Sequence, residues 1–218
     1  MPTPRHLPTL ALCLLTLLTY TPYVCAQNER WTERDAWQDV PGILKAMGVR
    51  EGSHVADVGA RDGYLTVRLA EAVGPTGRVY AVDIDADALE KLRKNLSDAD
   101  TSRVTLIHSA PDDPMLPERM LDAVVVVNAY HEFRAYAVML QHIKEALKPG
   151  GRLVLVEPLS PRRRDATRDE QADHHEIALA YARADLEAAG FEIVDARDPF
   201  VKRRRQNDEM WLLLGRRP

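Results

Sequence analysis

Cysteine is almost absent: the 218 residues contain two, Cys13 and Cys25, both within the first 26. A chain cut after Ala26 has no disulfide, no thiol nucleophile and no cysteine-ligated metal. Aromatic residues make up only 6% and are not interleaved with the basic runs Arg162 to Arg164 and Lys202 to Arg205. With a net charge of −4, this is not the profile of a nucleic-acid-binding surface, and the basic runs read as solvated loops. The apolar run from Leu10 to Tyr20 is well short of the ~20 residues that cross a bilayer as a helix. Neither a low-complexity linker nor an internal repeat interrupts the rest.

Basic Arg5 and His6, the apolar run after them and small residues at Val24-Cys25-Ala26 are the three parts of a secretory signal. Residues 1–26 therefore read as a removed signal peptide, which predicts an exported protein, periplasmic or secreted, with no stable membrane insertion after cleavage. Roughly 190 residues remain, enough for one α/β domain and too few for two ordinary ones. Within them, 27–50 reads as a helical cover carrying Trp31, Trp37, Ile43, Leu44 and Met47, and 51–218 as the domain itself. The cover packs either over the ligand side of a sheet or simply along its edge.

From there the chain alternates short β-branched runs with helical patterns, the signature of a parallel sheet with crossover helices. The runs are His54 to Gly59, Arg78 to Ile84, Val104 to Ala110, Leu121 to Ala129 and Arg152 to Glu157. Val124 to Val127 is unbroken valine, which predicts a strand buried on both faces. Helices are predicted over Tyr64 to Ala72, over Ala86 to Leu96 behind a capping Asp85, and over Phe133 to Leu147, stopped by Pro149-Gly150-Gly151. Asp173 to Ala189 reads as a further helix ended by Gly190. Phe191 to Phe200 and Glu209 to Leu214 follow as strands joined only by a polar, basic turn. So short a connection cannot be a parallel crossover, so the two form an antiparallel hairpin. The result is an α/β fold of five parallel strands plus a C-terminal antiparallel hairpin, with helices on both faces. A dinucleotide-binding domain would continue βαβ to a sixth strand and carry a complete G-x-G-x-x-G, so a nicotinamide oxidoreductase is disfavoured.

Chemistry concentrates at the strands' carboxyl ends, where open α/β sheets bind ligands. The first strand runs into Asp57-Val58-Gly59-Ala60-Arg61-Asp62-Gly63, a turn whose glycines let backbone approach a ligand more closely than a Cβ permits. Asp83, about 26 residues beyond Asp57, falls where an acid can accept from two vicinal ribose hydroxyls. The fourth strand ends in Asn128-Ala129-Tyr130-His131-Glu132. An imidazole there can act as a general base or simply hydrogen-bond a backbone carbonyl. His174 and His175 precede the last helix. No tight ligand spacing joins these residues, so no metal is expected.

The turn after the first strand resembles the D-x-G-x-G-x-G of class I S-adenosylmethionine-dependent methyltransferases. Asp57, Gly59 and Gly63 stand at its fixed places, and Arg61 stands where the middle glycine belongs. With Asp112-Asp113-Pro114-Met115-Leu116-Pro117, Tyr130-His131-Glu132 and the stretch from Ala146 to Pro158, the chain is similar to a bacterial group of that family, some of them exported. The resemblance covers most of Trp37 to Pro158 and, more loosely, the tail to Arg216. It implies a Rossmann-like class I methyltransferase sheet, S-adenosylmethionine as cofactor and methyl transfer to a small-molecule acceptor. Cofactor contacts are implied at Asp57, Gly59, Arg61, Gly63, Asp83, Ile84 beside the adenine, Asp112 at its amino group, and Asn128. Tyr130, His131 and His175 are implied around the methyl. Asn128 opens no N-P-P-Y, which disfavours exocyclic amines of bases. Arg61 either pairs with the cofactor's carboxylate or narrows the site; the second case would leave an exported, non-catalytic ligand-binding module on the same fold. The secreted product is expected to begin at Gln27, and its intact mass checks this: any other first residue overturns the cleavage site.

Overall fold

The valine run sets the middle of the molecule. In the computed structural model, which describes residues 31–96, 101–203 and 208–218, Ala123, Val125 and Val127 enter one apolar layer while Leu121, Val124 and Val126 enter the other. Their strand, β4 (Leu121–Val127), is thus covered on both faces, and each buried valine contributes on the order of 1.5–3 kcal/mol. β1 (His54–Val58) lies parallel to β4 on one side and to β2 (Arg78–Asp83) on the other, with β3 (Val104–His108) beyond β2. On the far side β4 pairs in parallel with β5 (Leu147–Leu159), β5 pairs antiparallel with β7 (Asp208–Arg216), and β7 antiparallel with β6 (Glu192–Arg203). The order β3-β2-β1-β4-β5-β7-β6 reverses its winding between β1 and β4, and a crevice opens at such a point beyond the strands' carboxyl ends. This is the Rossmann-like sheet with a terminal antiparallel hairpin that the sequence pattern predicts.

Helices α1 (Val40–Met47), α2 (Tyr64–Val73) and α3 (Ala86–Asn95) supply apolar side chains to the layer of Val125. Helices α4 (Tyr136–Ala146) and α6 (Leu179–Ala188) supply those of the layer of Val124. A short α5 (Arg168–Asp173) precedes α6, opened by a reciprocal pair of hydrogen bonds between Thr167 and Glu170. The signal-peptide expectation at residues 1–26 and the hairpin turn at 204–207 lie outside the described residues. Among the described residues no helix is long and apolar enough to cross a membrane.

Three boundaries differ from the pattern. The helix expected to start at Asp173 starts only at Leu179, because α5 has just ended at Asp173 and the chain breaks between the two helices, with His175 in the left-handed region at φ 57°. Buried Gln171 holds the break: its Oε1 accepts from the Ala178 amide and its Nε2 donates to the carbonyls of Arg163 and Ala166. No proline or glycine marks the spot, so local pattern could not reveal it. Helix α4 starts at Tyr136 rather than Phe133, because Tyr130–Glu132 forms a separate 3-10 turn. Strand β5 starts at Leu147, not Arg152: Leu147 pairs with Leu121, and the expected stop at Pro149-Gly150-Gly151 is an irregularity in the ladder before Arg152 meets Ala123.

Asp85 caps α3, its Oδ1 accepting from the amides of Asp87 and Ala88. Asp85→Ala should lower stability by about 1 kcal/mol, read by denaturant unfolding. A loss under a few tenths of a kcal/mol would overturn the cap's role.

Candidate active site

At the end of β1 the chain turns through Gly59 (φ 83°), Arg61 (φ 53°) and Gly63 (φ 86°). A Cβ on Gly59 would stand 2.5 Å from Cβ of Ala129, and one on Gly63 would stand 2.7 Å from Cγ of Leu92. The need for glycine here is therefore packing against β4's end and against α3, as well as positive φ. Arg61 takes the left-handed conformation despite its side chain, which is exposed. The turn thus keeps the path a glycine would give it, and the guanidinium is not buried in the crevice.

Two buried carboxylates sit behind this turn. Asp83 accepts from the Arg61 amide at 2.7 Å through Oδ2 and from the Asp85 amide at 2.9 Å through Oδ1. Each oxygen keeps a further lone pair. Asp57 is 3% exposed, with Thr66 Oγ1 donating to it at 2.7 Å. Burial pushes its carboxyl up to about 6, against the pull of Thr66 and of Arg34. Arg34 belongs to a helical turn at 31–35 that lies over the start of α2: its guanidinium is 4.3 Å from the Tyr64 ring centre, and Trp31 meets Tyr64 edge-on at 5.9 Å. Beyond β2 and β3, Ile84 and Met115 are 55% and 57% exposed. Asp112 is exposed in the loop after β3, and Asn128, at φ 54°, is exposed at the end of β4.

The second cluster follows β4. His131 is buried, with Nδ1 at 2.6 Å from Oε2 of Glu157 and Nε2 at 3.3 Å from Oε1 of Glu132. Glu157 is wholly buried at the end of β5, and its other oxygen accepts from the Ala129 and Tyr130 amides, both at 2.7 Å. His175 Nδ1 reaches the same Glu132 oxygen at 2.8 Å, and the two imidazole rings are 5.5 Å apart. Burial opposes a charge on His131, but the hydrogen bond and charge of Glu157, joined by Glu132, outweigh it and raise its pKa above the ordinary histidine value. Glu132 is held below the ordinary carboxylate value: partial burial opposes this, and His175 and His131 overcome it.

Of the residues expected around the methyl, the fold brings His131 and His175 together through Glu132. Tyr130 points elsewhere: it is 1% exposed, and its hydroxyl donates to Asp185 Oδ2 at 2.7 Å, a carboxylate also paired with Arg168. Burial and that carboxylate push its pKa up, so it serves as a neutral core tyrosine. Sequence reasoning missed Glu157 and Arg34. The signal for Glu157 was present, an acid closing the apolar strand Leu153-Val154-Leu155-Val156.

Residues 55–151 match the family model described as a methyltransferase domain. Among curated proteins, demethylmenaquinone methyltransferase of Staphylococcus aureus is 30% identical over 135 residues, covering 62% of this chain and 52% of that protein. The chain thus spans about half the length of the curated relatives it matches. A solved S-adenosylmethionine-dependent methyltransferase from Aquifex aeolicus superposes with a TM-score of 0.72 at 19% identity, covering 91% of this chain and all of that one. A "possible exported protein" from Bordetella parapertussis superposes at 0.59, with 22% identity over 90% of this chain and 70% of that one. The fold is that of the solved S-adenosylmethionine-dependent methyltransferases on which the chain superposes.

The raised Asp57 has a pH consequence. Between the unfolded value of 3.8 and about 6, the folded chain keeps a proton that the unfolded chain has lost. This contribution to stability is present at low pH and is lost as pH rises through about 6. Asp57→Asn keeps an acceptor for Thr66 without the charge. Relative to the parent it should gain stability between about pH 4 and pH 6 and level off above, by at most about 3 kcal/mol. Denaturant unfolding of both proteins across that range checks this, and a difference independent of pH overturns it.

Proposed function

We propose that this protein binds S-adenosylmethionine at the β1–β2 side of the crevice and transfers its methyl group to a small-molecule acceptor held beside His131. When bound, the cofactor supplies a methyl carbon on a sulfonium leaving group. The acceptor would displace that leaving group in line, so what the chain itself has to contribute is positioning. The chain's own residues supply that positioning. Asp83, whose oxygens are pinned by two backbone amides, accepts from the ribose hydroxyls with its remaining lone pairs. Ile84 and Met115 cover the adenine with apolar surface that is otherwise left in water. Asp112 lies on the adenine side, and Arg61 is free in solvent to pair with the cofactor's carboxylate. The half-buried Arg34 and the buried, unpartnered Gln38 Nε2 beside it add donors from the N-terminal cover.

The observation that carries this reading is Asp83, a buried carboxylate fixed by the amides of the β1 turn and of α3's cap. A binding module that has lost its chemistry would be favoured by an Arg61 that plugs the crevice, and an exposed side chain gives that reading little support. Export is part of the same proposal, on the strength of the N-terminal signal pattern and the likeness to the Bordetella protein's described character. A small acceptor is the reading favoured here because, among the described residues, residues 31–49 and the segment around Leu159 to Asp169 are what could cover it.

Titration calorimetry of the purified protein should detect S-adenosylmethionine binding, weakened by roughly 1–3 kcal/mol in Asp83→Ala. Arg61→Gly should weaken it as well if the guanidinium pairs with the carboxylate. A gain of affinity in Arg61→Gly would identify a plug, and no binding at millimolar cofactor would overturn the assignment.

A further inference from the structure

We propose that His131, Glu132 and His175 form a binding site for one divalent cation of zinc type, with Glu157 orienting His131. The three side chains come from the 3-10 turn after β4 and the break between α5 and α6, and their ligand atoms all lie within 4.8 Å of one another. Zinc bonds of about 2.0–2.1 Å in a tetrahedral arrangement separate ligand atoms by roughly 3.3 Å. His131 Nε2 and Glu132 Oε1 stand 3.3 Å apart, while the 2.8 Å between Glu132 and His175 needs about half an ångström of opening at two exposed side chains.

The lone pairs make the case. Glu157, already anchored by the Ala129 and Tyr130 amides, takes the Nδ1–H of His131. In the neutral ring this directs the Nε2 lone pair toward a carboxylate oxygen, acceptor against acceptor. A cation between them relieves that conflict, either a proton or a metal ion. A buried carboxylate fixing the far nitrogen of a histidine is the usual outer support of a metal-binding imidazole. Two imidazoles and one carboxylate suit zinc and its transition-metal neighbours better than magnesium or calcium. Solvent reaches the cluster from the side of Glu132 and His175, both exposed, which leaves an entry path and room for a further ligand.

That open position deepens the methyl-transfer reading and rests on it. A hydroxyl or thiol acceptor bound there would lose its proton to solvent more readily and present the resulting lone pair to the methyl carbon. The acceptor class assigned is thus a small molecule with an ionisable oxygen or sulfur, and His131 acts as a ligand rather than a free base. Cation binding itself does not depend on that role.

After chelator treatment, the protein should bind Zn2+ at one ion per chain by calorimetry and give the visible absorption of tetrahedral Co2+ when cobalt is substituted. His175→Ala and Glu132→Gln should each weaken Zn2+ binding at least tenfold, and Glu157→Gln by about 10- to 100-fold. His174→Ala, whose ring bonds the Glu170 carbonyl instead, should leave it unchanged. His175 is exposed, so its variant should melt as the parent does, and it should keep full affinity for S-adenosylmethionine. No Zn2+ binding at about 100 μM, far above the affinity of a built site, would overturn the proposal, as would equal losses in His174→Ala and His175→Ala. Zinc binding without cofactor binding would leave this site standing and remove the methyl-transfer reading.

Discussion

Gly59 touches Ala129 where no methyl group fits between them, and that contact ties the two halves of the crevice together. β1 and β4 are neighbours at the point where the winding of the sheet reverses, so the turn after β1 and the 3-10 turn after β4 leave in opposite directions from adjacent strands. The amide of Gly59 is also fixed, donating to the Val82 carbonyl at 2.9 Å. Arg61, two residues on, is held by Asp83, and Tyr130, one residue beyond Ala129, by Glu157. A shift at either strand end is therefore carried to both carboxylates. Positioning is what the proposed methyl transfer asks of such a fold, and close packing of the two strand ends supplies it.

The buried acids divide the electrostatic work unequally. Asp83 and Glu157 each receive two backbone amides, which compensate a carboxylate better than neutral side chains would. Asp57 receives one hydroxyl and faces Arg34 across a distance, and burial accordingly pushes its carboxyl up. Isolated charge is costly in such surroundings, so a cationic ligand in the crevice would favour the charged form of Asp57. The sulfonium of the proposed cofactor carries such a charge. The acid next to the glycine turn thus couples the charge of the ligand to the stability of the fold.

The sheet was legible because its signals are local. Unbroken valine in β4, an acid-and-glycine turn after β1, a capping Asp85 and the short link between the last two strands each announce their structure within a few residues. The ends of the α5–α6 break were not legible, since buried Gln171 substitutes for the glycine or proline that would have marked them. The signal for Glu157, an acid closing an apolar run, was ambiguous: such an acid usually faces solvent, and only the pairing of β5 with β4 turns it under Ala129 and Tyr130. Tyr130 misled in the other direction. Its place beside His131 in sequence suggests a shared task, but in a 3-10 turn neighbouring side chains diverge, and Asp185 from α6 captures its hydroxyl.

The family match itself follows this division. It runs from residue 55 to residue 151 and so takes in Asp57, Gly59, Gly63 and Asp83, the turn and the acid of the proposed cofactor side. It also includes His131 and Glu132 but stops short of Glu157 and His175, which lie on β5's end and at the break before α6. Half of the residues of the proposed acceptor side thus lie beyond the stretch that the shared pattern describes. A cofactor common to a family constrains one edge of the sheet, while acceptors differ from member to member and are met by whatever the later elements bring to the other edge. The acceptor is accordingly best read from the chemistry of His131, Glu132, His175 and Glu157. In the proposed reading, two imidazoles, one exposed carboxylate and one buried carboxylate that fixes a ring suit a group that must give up a proton before it can take a methyl.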